Sequence, residues 1–292
     1  MPCYNAGKYV SEAIESVLGQ TYQDIELIIT DDCSSDESLE IINNYKCLDD
    51  RIRIIAHSNN VGVSRSRNEA MALSTGEFIA FCDADDIWEK DKLKIQCEFF
   101  RFDESCSIIH SDSLIIDERG AVTGERFSNR FNTGEKLSGN VFQNLCLRNF
   151  INTPTVIFRK KCINDAGLFD EEFKYLEDWL YWIKLAVKYK FLYINEPLAR
   201  YRMHSQSTRF DRKGYANCRI MGFQFILDNF QEIPAGIRSR LLYGMGRNYD
   251  YLGQPQQARQ HYISAFKENK LNFKNLIRLL QSLIPNSIST AG

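Results

Sequence analysis

Phe81-Cys82-Asp83-Ala84-Asp85-Asp86-Ile87-Trp88 is the stretch that decides the fold. An apolar run, Phe78-Ile79-Ala80-Phe81, leads straight into three carboxylates within four positions. Carboxylates this close repel one another, and a hard divalent cation is the usual means of offsetting that repulsion. Mg²⁺ and Mn²⁺ prefer oxygen ligands and accept substrate phosphates as the remainder of their shell. The plainer alternative is an acidic turn capping a helix that begins near Trp88.

Upstream of this turn, helix and strand patterns alternate. Tyr9 to Leu18 places Val10, Ala13, Ile14, Val17 and Leu18 on one helical face and stops at Gly19. Ile25 to Thr30 reads as a strand ending in Asp31-Asp32, and Ser34-Ser35-Asp36-Glu37 reads as a capping box for a helix to about Lys46. Arg51 to Ala56 is the next strand, Val63 to Ser74 a helix closed by Gly76, and Glu77 to Cys82 the strand that delivers the carboxylates. Strands joined by helices of this length imply βαβ units and a mostly parallel sheet. Ligands of such sheets bind at the carboxyl ends of strands, where Asp31, Asp32, Asp83 and Asp85 all fall.

Downstream, Ser107 to Ile116 reads as a strand with a turn at Glu118-Arg119-Gly120, Thr155 to Arg159 as a strand, Leu176 to Lys188 as a helix, and Phe191 to Ile194 as a short strand. From about residue 213 the pattern is helical. Gly246, Tyr249, Gly253, Ala258, Tyr262 and Ala265 fall at the spacings of a single tetratricopeptide-like helix pair over Leu242 to Phe266. One such repeat cannot bury its own face, so it is expected to pack on the main domain or on a protein partner. The last stretch, 270–288, is amphipathic. Peripheral membrane contact and ordinary packing against the repeat are both open for it.

Apolar content of 44% and charged content of 25% over 292 residues describe a globular chain with a sizeable core. A formal net charge of -2 excludes a nucleic-acid binder working by bulk charge. The nine cysteines show no C-x-x-C pair. Cys33, Cys82 and Cys146 lie in or beside apolar runs and are expected to be reduced and buried. No run reaches the ~18 apolar residues needed to span a bilayer, and no signal peptide is read at the start. The expected location is the cytoplasm; on the membrane reading of the tail, contact would be at the inner face of the plasma membrane.

The ordered pieces resemble a family 2 glycosyltransferase with the GT-A fold. They are Pro2-Cys3-Tyr4-Asn5; Asp31-Asp32 with Ser34 and Asp36; Asn60-Val61-Gly62-Val63-Ser64 with Arg67-Asn68; and Asp83-Ala84-Asp85-Asp86. They continue with Thr155 to Arg159, Gly167-Leu168-Phe169-Asp170, Glu177-Asp178-Trp179 and Tyr201-Arg202-Met203-His204. Each is weak alone, but their order and spacing over residues 2 to 208 are specific. The resemblance implies an α/β Rossmann-like, mostly parallel central sheet flanked by helices, with residues 1–212 catalytic and 213–292 a helical extension. Within the catalytic part, 1–100 would bind the nucleotide sugar and 101–212 the acceptor.

It also implies transfer of a sugar from a nucleotide-diphosphate donor, a UDP-sugar above all, to a hydroxyl of a glycan or lipid-linked glycan, with inversion, in the synthesis of a cell-surface polysaccharide or lipopolysaccharide. Pro2, Tyr4, Asn5, Asp31, Asp32, Arg67, Asp83 and Ala84 would face the donor. Asp85, Asp83 and His204 would hold Mn²⁺ or Mg²⁺. Asp178 would be the general base, since a carboxylate can take the proton of a hydroxyl as it attacks. Glu177, Trp179 and Asp86 would meet the acceptor. Plainer readings stand beside these: an Asx turn for Asp31, core packing for Tyr4, a surface charge for Arg67, a strand residue for His204 and a helix N-cap for Asp178.

One departure stands out. In the family a buried strand of about six apolar residues precedes Pro-x-Tyr-Asn, whereas here Met1 directly precedes Pro2. The first strand is therefore expected to be missing, through a start assigned too late or a truncated chain. Two other functions compete. A nucleotidyltransferase shares the sheet and the acidic site, but Asn5-Ala6-Gly7-Lys8 is a poor phosphate loop and Asp178 would have no role. A non-catalytic sugar-binding domain is the third, and the Asp83/Asp85 pair together with Asp178 argues against it.

Overall fold

The computed structural model describes residues 1–131, 137–204 and 211–269. Internal contacts divide the chain into two units, Met1–Leu145 with Asn149–Ser207, and Cys146–Arg148 with Thr208–Gly292.

The first unit is an α/β fold. It opens with β1 (Pro2–Cys3), α1 (Val10–Leu18), β2 (Leu27–Asp31), α2 (Ser38–Leu48), β3 (Ile52–Ala56) and α3 (Val63–Leu73). The three strands form a parallel sheet, with Pro2 opposite Thr30, Cys3 opposite Asp31 and Asp31 opposite Ala56. All five residues of β2 are buried. Val10, Ala13, Ile14 and Val17 of α1 join Ile29, Ile42 and Ile52 in one core. Each fully buried aliphatic side chain contributes about 1.5–3 kcal/mol, which anchors the strand ends that carry Asp31 and Asp32. The first strand of this sheet is only two residues long, Pro2–Cys3.

The chain continues through β4 (Phe78–Ala80), β5 (Ile87–Trp88), α4 (Lys92–Phe102), β6 (Ile108–Ile116), β7 (Val122–Arg126), α5 (Phe142–Leu147), β8 (Ile157–Arg159), α6 (Ile163–Ala166), α7 (Glu177–Lys188) and β9 (Phe191–Arg202). Here the sheet runs β4-β8-β6-β9-β5, with β7 paired to β6. Only β6 and β9 are parallel, so the mostly parallel pattern holds for the first three strands and not for this half. Trp88 lies in β5 rather than at a helix start, because Ile87 and Trp88 pair with Arg200 and Ala199. The helix begins at Lys92. The expected short strand at Phe191 extends to Arg202, since β6 pairs with it at both ends, from Phe191 to Ile194 and from Ala199 to Arg202, across a register shift around Asp112.

The Ser34–Glu37 capping box does not form. Asp36 accepts from the backbone N–H of Gly7 at 2.9 Å and of Ser38 at 3.0 Å, while Ser34 Oγ accepts from Asn5 N–H at 3.0 Å. These side chains tie the loop after β1 to the loop after β2 instead. All nine cysteines are free; Cys82 and Cys146 are buried and Cys33 is half-buried.

The second unit contains α8 (Arg212–Asn229), α9 (Ala235–Tyr251) and α10 (Pro255–Glu268). The expected helix pair is present, with α9 starting seven residues earlier than its spacing indicated. Ala258, Tyr262 and Ala265 are fully buried. A Cβ on Gly246 would sit 2.5 Å from the Tyr262 ring, so the close approach of α9 and α10 requires glycine there. The stretch 270–288, for which membrane contact and packing against the repeat are both open, lies outside the described residues.

Candidate active site

The candidate site is built from loops at the carboxyl ends of the strands. Three described non-glycine residues have positive φ: Asn5 (49°), Cys33 (62°) and Leu176 (67°). They follow β1, follow β2 and precede α7. Backbone held in this region costs about 1–3 kcal/mol and tends to cluster at functional sites.

Asp31 is 1% exposed. Its Oδ2 accepts from Ser34 N–H at 3.1 Å, whereas Oδ1 is buried with no hydrogen-bond partner in the protein. A buried acceptor without a donor is costly, and a ligand N–H is one way to satisfy it. Tyr4 is 54% exposed, which removes core packing as its role. Asn5 lies beside it, its Oδ1 accepting from Ser35 N–H at 2.8 Å. Pro2 is half-buried in β1. Asp32 points elsewhere: Oδ1 accepts from Val61 N–H at 2.8 Å and contacts His57 Nδ1 at 2.9 Å, and Oδ2 accepts from Gly62 N–H at 2.8 Å. Asp32 thus shapes the turn that opens α3, and His57 continues from it to Glu69 at 2.8 Å.

The acidic turn is held from β9. Arg202, 2% exposed, donates its backbone N–H to Asp86 Oδ1 at 2.9 Å and its Nε–H to the Asp85 carbonyl at 2.8 Å. Its far nitrogen pairs with Glu12, and the guanidinium lies 4.9 Å from the Tyr9 ring. Asp86 is 1% exposed, and burial, followed by the charges of Asp85 and Asp83, pushes its carboxyl well above the usual range. Ala84 is also buried. Asp85 Oδ2 lies 2.9 Å from His204 Nε2.

Arg67 joins the turn to α7. It is 4% exposed, donates Nη2–H to Asp83 Oδ1 at 2.7 Å and Nη1–H to Glu177 Oε1 at 2.6 Å. Its fork thus spans two carboxylates that are 94 positions apart in the sequence. Phe81 and Phe169 flank the guanidinium at 5.8 and 5.5 Å. Asn68 anchors the same helix by exchanging hydrogen bonds with the Phe169 backbone at 3.0 and 2.9 Å. Next to Glu177, Asp178 accepts from Thr153 Oγ1–H at 2.8 Å and from Trp179 N–H at 2.6 Å. Burial raises the carboxyl pKa of both Glu177 and Asp178, with the Arg67 charge opposing it.

Residues 1–162 match the family model for Glycosyl transferase family 2. The chain belongs to glycosyl transferase family 2. It is 37% identical over 119 residues to the putative teichuronic acid biosynthesis glycosyltransferase TuaG of Bacillus subtilis, covering 41% of this chain and 47% of TuaG. The chain therefore spans about half the length of that relative. Among solved structures, S. aureus TarS 1-349 in complex with UDP-GlcNAc aligns with a TM-score of 0.68 at 20% identity, over 91% of this chain and 79% of TarS. The mannosyltransferase PcManGT from Pyrobaculum calidifontis, in complex with GDP-Man and Mn²⁺, aligns with a TM-score of 0.63 at 16% identity, over 97% and 78% of the two chains. At these identities the likeness concerns the fold, which is that of GT-A glycosyltransferases.

In this family 2 chain the structure draws Arg67, Asp83, Glu177 and Asp178 into one cluster and pairs Asp85 with His204. It does not bring Asp86 or Trp179 to the surface. Trp179 is 2% exposed and its indole N–H donates to the Leu145 carbonyl at 2.6 Å, so neither residue is presented to an acceptor. Arg202, Thr153, Asn149 and His57 carry the site's support and had no role in the sequence reading. Arg202 alone had a local signal, its place beside His204 in a quoted motif. Among the described residues no helix is long and apolar enough to cross a membrane.

Proposed function

We propose that this chain transfers a sugar from a nucleotide-diphosphate donor to an acceptor hydroxyl, with inversion, in polysaccharide synthesis. The observation that carries this reading is the Arg67 bridge from Asp83 to Glu177, which sets Asp178 beside the acidic turn. A nucleotidyltransferase would leave Asp178 without work. UDP is the donor nucleotide that fits the site, because the unpartnered Asp31 Oδ1 matches the imide N–H of a uracil and the exposed Tyr4 ring can stack on that base. TuaG and the UDP-GlcNAc complex of TarS support the same reading.

A divalent cation fits the residues present. Asp85 and His204 offer an oxygen and a nitrogen 2.9 Å apart, with the Asp85 side chain one-third exposed. No three His, Cys, Asp or Glu side chains converge as a ready metal cage among the described residues. That suits Mg²⁺ or Mn²⁺, which are held by one or two protein groups together with substrate phosphates. When bound, the ion would neutralise charge developing on the leaving diphosphate. Asp83 is engaged by Arg67 and would serve the donor's ribose side.

Asp178 takes the acceptor proton. The O–H bond breaks as the new C–O bond forms, the proton passes to the carboxylate, and the electron pair of the old glycosidic bond leaves with the diphosphate. General-base assistance of this kind contributes about 10²–10⁴-fold. One carboxylate acting alone fits single displacement. Nucleotide release should be measured from UDP-, GDP- and dTDP-sugars with and without Mn²⁺, for the natural chain and Asp178→Asn. Metal-dependent release from one donor, lost in Asp178→Asn with donor binding intact, is the expected result. Full activity of Asp178→Asn would place the base elsewhere.

A further inference from the structure

Thr153 lies outside the acidic turn and the Glu-Asp pair, yet its hydroxyl meets Asp178. We propose that Thr153 is a positioning residue that fixes and sustains the ionised Asp178 carboxylate for proton transfer. This rests on the reading of Asp178 as the base. Thr153 Oγ1–H donates to Oδ2 at 2.8 Å, and Trp179 N–H donates to Oδ1 at 2.6 Å. Asn149 Nδ2 adds a longer contact to Oδ2 at 3.4 Å. With a donor on each oxygen the plane of the carboxylate is set, and Oδ1, which meets a single donor, keeps a lone pair for the incoming proton.

The hydroxyl is itself held in place. Thr153 is 5% exposed and opens a 3₁₀ turn, Thr153–Thr155, with Pro154 inside it. Thr155 Oγ1–H donates to the Asn152 carbonyl at 2.6 Å, and Asn152 Nδ2–H donates to Ser113 Oγ of β6 at 2.8 Å. The turn is thus pinned to the sheet on either side of Thr153. The charged groups facing Asp178 are Arg67 from α3, Asp83 from the turn after β4 and Glu177 on its own helix. Burial raises the Asp178 pKa; the Thr153 hydrogen bond is the largest influence opposing it, ahead of Arg67. Thr153 therefore does more than fill space.

The test follows the Asp178 carboxyl carbon by NMR in ¹³C-aspartate-labelled protein, the signal being assigned by its absence in Asp178→Asn. Thr153→Val should raise the titration midpoint by about one to two pH units, the equivalent of a hydrogen bond to a charged group. Thr153→Ser should restore it. The acid limb of kcat should move with the midpoint while KM for the donor stays put. Thr153→Cys, a weak donor of similar size, carries the same comparison if the valine variant does not fold. An unmoved midpoint in a folded variant overturns the proposal. Full activity in Asp178→Asn would instead overturn the base assignment, and the NMR comparison separates the two failures because it does not depend on turnover.

Discussion

Arg202 grips two consecutive residues of the acidic turn, donating its backbone N–H to Asp86 Oδ1 and its side-chain Nε–H to the Asp85 carbonyl. One residue at the end of β9 therefore sets both the direction of the Asp85 side chain and the burial of Asp86. Asp86 sits inward as a brace so that Asp85 can face His204.

Arg202→Lys keeps the charge and loses the fork. The carbonyls of Asp85, Asp117 and Glu118 that it now serves would share a single ammonium. Unfolding free energy should fall by about 1–3 kcal/mol, and Mn²⁺ affinity should weaken about 10–100-fold through the displaced Asp85. Urea denaturation and calorimetric metal titration measure the two effects separately. Unchanged metal affinity would show that the turn holds its shape without Arg202.

Arg67→Met should be among the most damaging single changes in the first unit. It leaves Asp83 and Glu177 without their cation, and removing one partner of a buried pair costs about 3–5 kcal/mol. Arg67→Met with Glu177→Gln should recover part of that loss, because a neutral amide tolerates burial better than an uncompensated carboxylate. The comparison of melting temperatures checks this, and a double variant no more stable than Arg67→Met would refute it.

His110 supplies a pH dependence unrelated to the site. It is 1% exposed, surrounded by Phe150, Phe191 and Tyr193, and burial pushes its pKa down to about 4 from 6.5. Between pH 6.5 and 4 the unfolded chain takes up a proton that the folded one refuses, so stability falls as pH falls through that window. The full loss from this group is about 3 kcal/mol. His110→Phe should flatten the curve over that window, at the expense of the bond from Nε2 to the Leu137 carbonyl. Stability measured from pH 7 to pH 4 for both proteins decides it.

Two glycines of α9 should respond with opposite sign. Gly246→Ala drives a methyl into the Tyr262 ring and should destabilise by about 1–3 kcal/mol, outweighing the better helix propensity of alanine. A Cβ on Gly236 meets nothing within 4 Å, so Gly236→Ala should stabilise by up to about 1 kcal/mol. Denaturant titrations of both variants read the difference directly.

Much of the site was legible before any coordinates. An apolar run ending in carboxylates marks a strand end, and Asp31, Asp83 and Asp85 stand at such ends. The Glu177-Asp178 pair opens a helix as its pattern indicated. Where the reading failed, a longer-range partner overrode the local signal. Trp88 pairs with β9 rather than starting a helix, Ser34 serves the backbone of Asn5, and Asp36 divides its carboxylate between Gly7 N–H and Ser38 N–H at the head of α2. Asp86 and Trp179 look like surface chemistry in a motif and are packed inside.

Residue type and order were enough to place the strand ends and the carboxylates, because these follow from hydrophobic period and from which side chains can bear charge; the family showed through the resemblance of its ordered motifs and the match over residues 1–162. Folding chose the partners: Arg67 with Glu177 across 110 positions, Asp85 with His204 across 119, Asp178 with Thr153 across 25. A guanidinium or hydroxyl can serve many acceptors. Which one it meets depends on strand pairing and helix packing, and no local spacing encodes that geometry.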